Sequence, residues 1–380
     1  MAASGVTFVS TEAEKKEFIE FLYTHYATDA FFVPPLRQDQ RKLIDTKKNP
    51  FFKQAKIGMF LAQYDGKPAG RIAAVVDDRF NKQHGFSTGH FAFFECIDHQ
   101  PTADLLFRVA EDWLKGEGIE EVLGPTNPGM MDVLGFLVDG FDKLPYFMMP
   151  YSKPFYEKLA LNAGYEGVRD LLAFILDETN VEFDRMRKAK NMIMRRYPQI
   201  HIRPISLKNI DDEVKIVRDI YNEAWKNNWG FLPLSLEEIT GLAKDFKMIL
   251  DEDFAHIAEW EGKPVGFSIA LPDLNQVFRT INGNLFPFGF IKFLWKKRKI
   301  NRIRTALMGI LPEFQGKGID ALFHQRTIEF ALKRNFVESE LSWILDNNTE
   351  MIHLAKRIGA RIDKRYRMYA KKVPADIQRA

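Results

Sequence analysis

Cysteine is nearly absent: Cys96 stands alone among 380 residues. A single thiol excludes an intrachain disulfide and a zinc site built from cysteines. Long apolar runs are missing too. The longest, Leu285 to Trp295, is broken by Lys292 and falls short of the roughly 18 residues a membrane-spanning helix needs. The N-terminus, MAASGVTFVSTEAEKKE, lacks a basic region followed by an apolar core, so no secretory signal is expected. Excess charge is also lacking. The net charge is +3, from 54 basic and 51 acidic residues, too little to make nucleic acid the expected partner. His, Asp and Glu show no metal-ligand spacing, and no metal is expected. What the chain has in quantity is phenylalanine, 33 Phe against 11 Tyr. Phe supplies apolar surface without a polar handle, which suits a large core or a greasy site. The hydrophobic and charged fractions, 46% and 28%, are those of a folded soluble protein, and a cytoplasmic location is expected.

The chain reads as an internal repeat. Ala62-Gln-Tyr-Asp-Gly-Lys-Pro-Ala-Gly70 returns as Ala258-Glu-Trp-Glu-Gly-Lys-Pro-Val-Gly266. In both copies an apolar run enters an acidic-Gly turn and another leaves it, the pattern of a β-hairpin. Upstream, Tyr26, Asp29 and Phe32-Val-Pro34 match Trp225, Asn228 and Phe231-Leu-Pro233. Downstream, Ala163-Gly164 matches Ile358-Gly359. Three matches in one order at nearly one offset indicate duplication. The expected domains are 1–177, a basic linker helix over 178–200, and 201–380. Second-half strands are expected at 201–205, 254–259, 265–271, 302–311, 340–345 and 367–371. Helices are expected at 212–225, 236–249, 319–334 and 349–358. The fold class is α/β, an α+β mixed sheet with an early hairpin and one later parallel crossover.

Each half carries a private insertion. In the first it runs from Gly124 to Asp142 and on to Met149, rich in Gly, Pro and Met, as an ordinary loop or a pocket lining would be. In the second it is Leu274 to Asn301, with Phe278, Phe286, Phe288, Phe290, Phe293 and Trp295 ahead of Lys296-Lys-Arg-Lys299. Either this is an aromatic plug with a solvated basic end, or it is a lid whose aromatics enter lipid or hold an acyl chain while its cations face anionic headgroups. The second reading expects peripheral membrane contact through 278–300. Because the first half lacks the segment, it is expected to be dispensable for folding.

The loops ahead of the third helix differ. The first half reads Asp98-His-Gln-Pro-Thr102; the second reads Pro312-Glu-Phe-Gln-Gly-Lys-Gly-Ile-Asp320. A glycine-containing turn from a strand into a helix exposes backbone N–H groups that bind phosphate. A diphosphate is therefore expected in the second half alone.

Gln315-Gly-Lys-Gly-Ile319 resembles the pyrophosphate loop of the GCN5-related N-acetyltransferases (GNAT), whose pattern is Gln/Arg-x-x-Gly-x-Gly/Ala. Asn348, Met351, Ala355 and Gly359 resemble that family's later block. Asn222 to Pro233, Leu137 to Asp142 and Leu285 to Gly289 look like its bacterial ceramide synthase-like branch. The resemblance implies two tandem GNAT-like domains with the acyl-CoA N-acyltransferase fold. It implies acyl-CoA or acetyl-CoA as co-substrate and a primary amine acceptor, in that branch a sphingoid lipid amine. Two positions depart from the pattern: Asp320 puts a carboxylate at the loop's sixth place, and Ala355 stands where the family's acid Tyr belongs.

Acyl transfer to an amine needs a held thioester, a polarised carbonyl and a group to take the amine's proton. Gln315, Gly316, Lys317, Gly318, Ile319 and Asn348 are expected to hold the co-substrate, with the backbone of Ile310 and Leu311 donating to the oxyanion. Asp346 is the first candidate base, though it equally suits a helix cap; Glu313 is the second. Trp225, Asn228, Trp229, Phe231, Phe286 and Phe288 are expected to meet the acceptor, with core packing the competing role of Trp225. Cys96 with His99 suggests a thiol nucleophile, but a lone buried cysteine is the commoner case. Alternatives to a lipid N-acyltransferase are a small-molecule acetyltransferase, a transferase using aminoacyl-tRNA through the basic stretches 185–196 and 292–304, and a non-catalytic acyl- or membrane-binding protein.

Overall fold

The computed structural model describes residues 4–285 and 289–373. The first half runs β1 (Ser4–Phe8), α1 (Glu12–His25), α2 (Arg37–Ile44), β2 (Ala55–Tyr64), β3 (Lys67–Asp77), α3 (Asp78–His84), β4 (Thr88–Cys96), α4 (Gln100–Gly116), β5 (Glu121–Thr126), β6 (Phe136–Asp139), α5 (Tyr156–Asn162) and β7 (Glu166–Asp177). The second runs α6 (Phe183–Arg196), β8 (Ile200–Pro204), α7 (Ile210–Ala224), α8 (Leu236–Phe246), β9 (Ala255–Trp260), β10 (Lys263–Pro272), α9 (Asn275–Phe278), α10 (Gly289–Lys297), β11 (Arg302–Ile310), α11 (Ile319–Lys333), β12 (Glu338–Leu345), α12 (Thr349–Arg357) and β13 (Arg361–Lys372).

The repeated hairpins have one cause. Asp65 and Gly66 sit at φ +53° and +70°, Glu261 and Gly262 at +51° and +78°. Two successive left-handed residues make a tight turn whose twist matches the flanking strands. Helix starts are marked as directly. Thr11 with Glu14, and Ser235 with Glu238, form capping boxes at α1 and α8.

Two compact units result, and they do not follow contiguous halves. Unit 1 holds residues up to Leu171, Asn275–Lys297, and Lys364 onward; unit 2 holds Leu172–Leu274 and Arg298–Asp363. In unit 1 the strand order is β1-β2-β3-β4-β5-β13, with β6 also on β13. Its pairings are antiparallel except β4 with β5. In unit 2 the order is β7-β12-β11-β10-β9-β8, with β11 and β12 parallel. Half of the first half's last strand and most of the second's therefore stand in the other half's sheet: Leu172–Asp177 in unit 2, Lys364–Lys372 in unit 1. The helix over 178–200 is no free linker. Lys190 of α6 pairs with Glu329 of α11 at 2.8 Å, and Ile193 is buried with Ile319 and Phe323.

Most of the second-half insertion, Asn275–Lys297, belongs to unit 1. Asn275 Nδ2 donates to Pro145 O at 2.9 Å, and Arg37 Nη1 donates to Asn282 O at 2.7 Å. Phe278 and Phe293 are buried, with Phe147 against Phe278. The segment thus packs into unit 1, where the first half's own loops meet it. Phe286 and Phe288 lie outside the described residues.

Unit 1 is also clamped at Asp170. Arg367 grips it as a fork, Nε to Oδ1 at 2.6 Å and Nη2 to Oδ2 at 3.0 Å, and Arg365 Nη1 adds a bond of 3.2 Å. Burial pushes this carboxyl up, but the hydrogen bonds and charges of Arg367 and Arg365 outweigh it and hold it below its ordinary range. A depressed carboxylate stabilises the fold above its unfolded pKa, and that stabilisation is lost as pH falls through the folded value. Asp170→Asn is expected to destabilise unit 1 by about 2 kcal/mol at pH 7. Urea midpoints should show the deficit shrinking below about pH 4, where the wild-type carboxylate protonates. A deficit constant with pH would assign the effect to packing.

Candidate functional site

The site begins where two parallel strands part. β11 and β12 pair from Arg302 with Glu338 to Thr305 with Leu341. Beyond that, β11 stays paired with β10 as far as Ile310. Leu311 N–H donates to Val265 O at 2.9 Å, so the donors alternate outward at Ile310 and Met308. Both face the edge that β12 has left. This corrects the expectation for Leu311, whose N–H is spent on β10. Ile310 keeps the expected orientation, and Met308 joins it. The signal was strand alternation counted back from Leu311.

At the end of β11 the chain turns into α11. Gly316 and Gly318 take φ +70° and +84°, a conformation that favours glycine. No side chain caps the helix at Gly318. Among the described residues, the N–H groups of Gly316, Lys317, Gly318 and Ile319 donate to no carbonyl. Four unspent donors at the positive end of a helix form an anion cradle. A Cβ on Gly316 would meet nothing within 4 Å, whereas one on Gly318 would lie 2.6 Å from Ile193 Cδ1. The cradle is thus open at Gly316 and backed by α6 at Gly318.

The side chains around it are disposed otherwise than the motif alone implies. Lys317 Nζ donates to Glu313 O at 2.7 Å and lies over the Trp260 and Phe314 rings. Gln315 Nε2 donates to Ile310 O at 3.1 Å, fastening the loop to the strand. Ile319 contributes its backbone only, its side chain being fully buried. Asp320 Oδ1 accepts from Ala321 N–H at 2.8 Å; burial pushes this carboxyl above its ordinary range. The carboxylate bends to its own helical turn and leaves the Gly316–Ile319 donors unclaimed. These residues fit a diphosphate.

The other expected residues divide. Asn348 caps α12 through its side chain, which accepts from Met351 N–H at 3.1 Å; the cap is Asn348 and not Asp346. Asp346 lies exposed just past β12, and Glu313 exposed in the short helix after β11. Ala355 is wholly buried among Leu341, Ile344 and Ile358, so no proton donor stands there. Trp225 ends α7 and donates from Nε1 to Met308 O at 3.0 Å, which makes it a wall of the parted edge. Asn228 and Trp229 are half-buried in the following turn. Phe231 is 5% exposed and packs on Tyr221; it is core, because α7 and α8 close over it. In unit 1, Cys96 is wholly buried and burial pushes its thiol up, while His99 Nδ1 is engaged with Thr102 Oγ1. No thiol nucleophile results.

In unit 1 the corresponding gap is closed. β4 leaves β5 after Ala92 with Thr126. The rings of Tyr156 and Phe136 stand against Phe94 there, 1% and 3% exposed. No glycine turn opens α4, whose first residues are Gln100 and Pro101.

Comparison with known proteins accords with this geometry. The acetyltransferase (GNAT) family profile matches residues 214–360. The chain is 34% identical over 367 residues to Protein YghO of Escherichia coli (strain K12), covering 94% of this chain and 93% of that one. It is 32% identical over 371 residues to the bacterial ceramide synthase of Caulobacter vibrioides, covering 96% of each. Among solved structures, it is similar in fold to a GCN5-related N-acetyltransferase from Sphaerobacter thermophilus (TM-score 0.55, 13% identity, 97% and 95% covered). A tandem GNAT protein from the clavulanic acid biosynthesis pathway is similar too (TM-score 0.56, 12% identity, 98% and 100% covered). With a glycine turn of unspent donors beside a parted strand edge and two copies of the hairpin-led sheet, the chain belongs to the GNAT family as a tandem protein and is an N-acyltransferase.

Proposed function

We propose that the protein transfers a long acyl chain from coenzyme A to the primary amine of a lipid of sphingoid type. The observation that carries the donor half of this reading is the row of unspent N–H groups from Gly316 to Ile319 beside the open edge of β11. Acyl-coenzyme A would supply an activated thioester carbonyl, whose C–S bond breaks as the amide C–N bond forms and coenzyme A leaves as the thiol. The Gly316–Ile319 backbone would bind its diphosphate, and the Ile310 and Met308 N–H groups would orient what lies along β11. An N–H aimed at the carbonyl oxygen stabilises the charge that develops there. Asp346, just past the end of β12, is the first choice to take the amine's proton on a carboxylate oxygen, with Glu313 second. The acyl and acceptor half of the reading is supported by the likeness over 96% of each chain to a protein named bacterial ceramide synthase.

Peripheral contact with an anionic membrane forms part of the proposal. Among the described residues no helix is long and apolar enough to cross a bilayer. On α10, however, Ile291 and Trp295 are 65% and 62% exposed, next to Lys296 and Lys297. Apolar groups beside cations suit an anionic lipid surface.

Thiol release tests the reaction. Purified protein is given acetyl-, octanoyl- or palmitoyl-CoA with sphinganine, and the amide is identified by mass spectrometry. The expected result is N-palmitoyl product at a rate at least tenfold above the acetyl product. Preference for acetyl-CoA would replace this reading with small-molecule acetylation.

A further inference from the structure

The repeat contains its own control experiment. The hairpins align Gly70 with Gly266. In the second half Gly266 faces Ile310, and the next cross-strand pair is Phe267 with Gly309. In the first half Gly70 faces Cys96, and the next pair is Arg71 with Glu95. One place in the fold thus holds a ring over a glycine in one copy and two opposite charges in the other. The apolar version fills its space: Phe267 Cε1 lies 2.7 Å from where a Gly309 Cβ would stand. The charged version is loose. Arg71 and Glu95 are 2% and 9% exposed, yet Arg71 Nη2 stays 3.9 Å from Glu95 Oε1. Arg71 Nε, shut away from solvent, has no hydrogen-bond partner among the described residues. Desolvating two charges for so loose a contact is unfavourable beside an apolar pair. The fold does not require it, since the other copy does without.

The surroundings of Glu95 define what it can hold. Tyr26 and Tyr156 both donate to Oε2, at 2.8 and 2.7 Å. The Tyr156 oxygen accepts from Cys96 N–H at 3.2 Å. With its own hydrogen committed to Glu95, Tyr156 also accepts from His25 Nε2 at 2.8 Å. Burial, then the nearby Lys153 and Arg71, push His25 down to about 4, so it is neutral at pH 7. Arg71 Nη1 donates to Phe18 O at 2.8 Å, and Lys153 is held by Asp29 at 2.7 Å. Oε1 accepts no hydrogen bond from the described residues, and the Glu95 side chain keeps 11% of its surface. The centre therefore offers one charged acceptor oxygen, with the donors around it turned elsewhere. The Glu95 carboxylate repels phosphates and carboxylates from this oxygen. A cation that donates hydrogen bonds finds a partner in it.

We propose that unit 1 carries a ligand site of its own, in which Glu95 Oε1 takes the ammonium group of a primary amine. Tyr26, Tyr156 and His25 are positioning residues that hold the carboxylate by its other oxygen. The inference rests on unit 1 alone, so it stands or falls separately from acyl transfer. Burial pushes the Glu95 carboxyl above its ordinary range against the opposing Arg71 and tyrosines, so the test is run at pH 8.

The probes are n-octylamine and 1-octanol, titrated calorimetrically into the full chain. Octylamine is expected to bind with a component carried by Glu95, beside any it makes at the acyl-acceptor site. Glu95→Gln should weaken it at least tenfold and leave octanol unaffected. Gly316→Asp, in the phosphate cradle, should leave octylamine affinity unchanged. Arg71→Phe with Glu95→Gly imports the pair of the other copy, and covers the case in which Glu95→Gln fails to fold. It is expected to unfold cooperatively on heating and to lose that same component of octylamine binding. The site is overturned if wild type binds no octylamine, if either Glu95 variant binds it as tightly as wild type, or if Gly316→Asp loses it.

Discussion

Gly316→Asp should lower coenzyme A affinity about a hundredfold, while Gly316→Asn changes it only a few-fold. Both residues tolerate the left-handed conformation that Gly316 adopts at φ +70°, and the space around its missing Cβ is open. The pair therefore differs in charge and little else. A carboxylate about 5 Å from a diphosphate charge, at an effective dielectric near 20, costs about 3 kcal/mol. That is roughly two decades of affinity. Gly318 is the worse position to test, because any side chain there would strike Ile193 and report on folding. Pro101→Glu supplies the matching change in unit 1, at an exposed first turn of α4, and should leave affinity as it is. Calorimetry with coenzyme A on the three variants decides the matter. Equal loss with Asp and Asn would assign the effect to the backbone, and loss with Pro101→Glu would put a second diphosphate in unit 1.

Ile291→Ser with Trp295→Ser should abolish flotation with vesicles containing one third phosphatidylglycerol. Each side chain contributes about 1.5–3 kcal/mol when it leaves water for lipid, so the pair accounts for more than a hundredfold in partitioning. Lys296→Gln with Lys297→Gln should act differently. Each cation contributes about 1 kcal/mol near an anionic surface at moderate salt, so this variant should float less and lose most of its salt dependence. Phe278 and Phe293, buried in unit 1, are left untouched, and both double variants should melt like wild type. Wild-type protein that stays with the soluble fraction at low salt would remove the membrane from the proposal.

The elements that local chemistry dictates were legible in the sequence. An acidic-Gly pair between apolar runs admits few turns, and both hairpins formed. Gly316 and Gly318 announced a loop that needs positive φ, and the loop is there. Elements set by pairing partners far along the chain were not legible. β7 and β13 close their halves at almost the same offset, and nothing in either strand states which sheet it will join. The segment over 275–297 reads as an appendage of the second half, because only its docking partners, Arg37 and Pro145, reveal its place. Residue type also fails to tell wall from core: Trp225 lines the parted edge while Phe231, six residues on, is sealed. Glu95 escaped notice for the same reason. An acid inside Phe-Ala-Phe-Phe-Glu-Cys has no local meaning until register sets it across from Arg71.

The place of β13 bears on how the protein is made. Its partner β5 ends at Thr126, and β13 begins only at Arg361, 235 residues later. At roughly 5–20 residues per second, a ribosome takes on the order of 10–50 s to bridge that interval. Throughout it the first sheet lacks its closing strand, and the edge of β5 is open to any other extended segment. Unit 2 is spared this wait at β7, which is translated before the rest of its sheet. Synthesis from the N-terminus therefore finishes the second unit's framework while the first still waits for the last residues. A nascent chain stalled before Arg361 should leave unit 1 sensitive to protease, and a chaperone that covers open sheet edges should bind it during that interval.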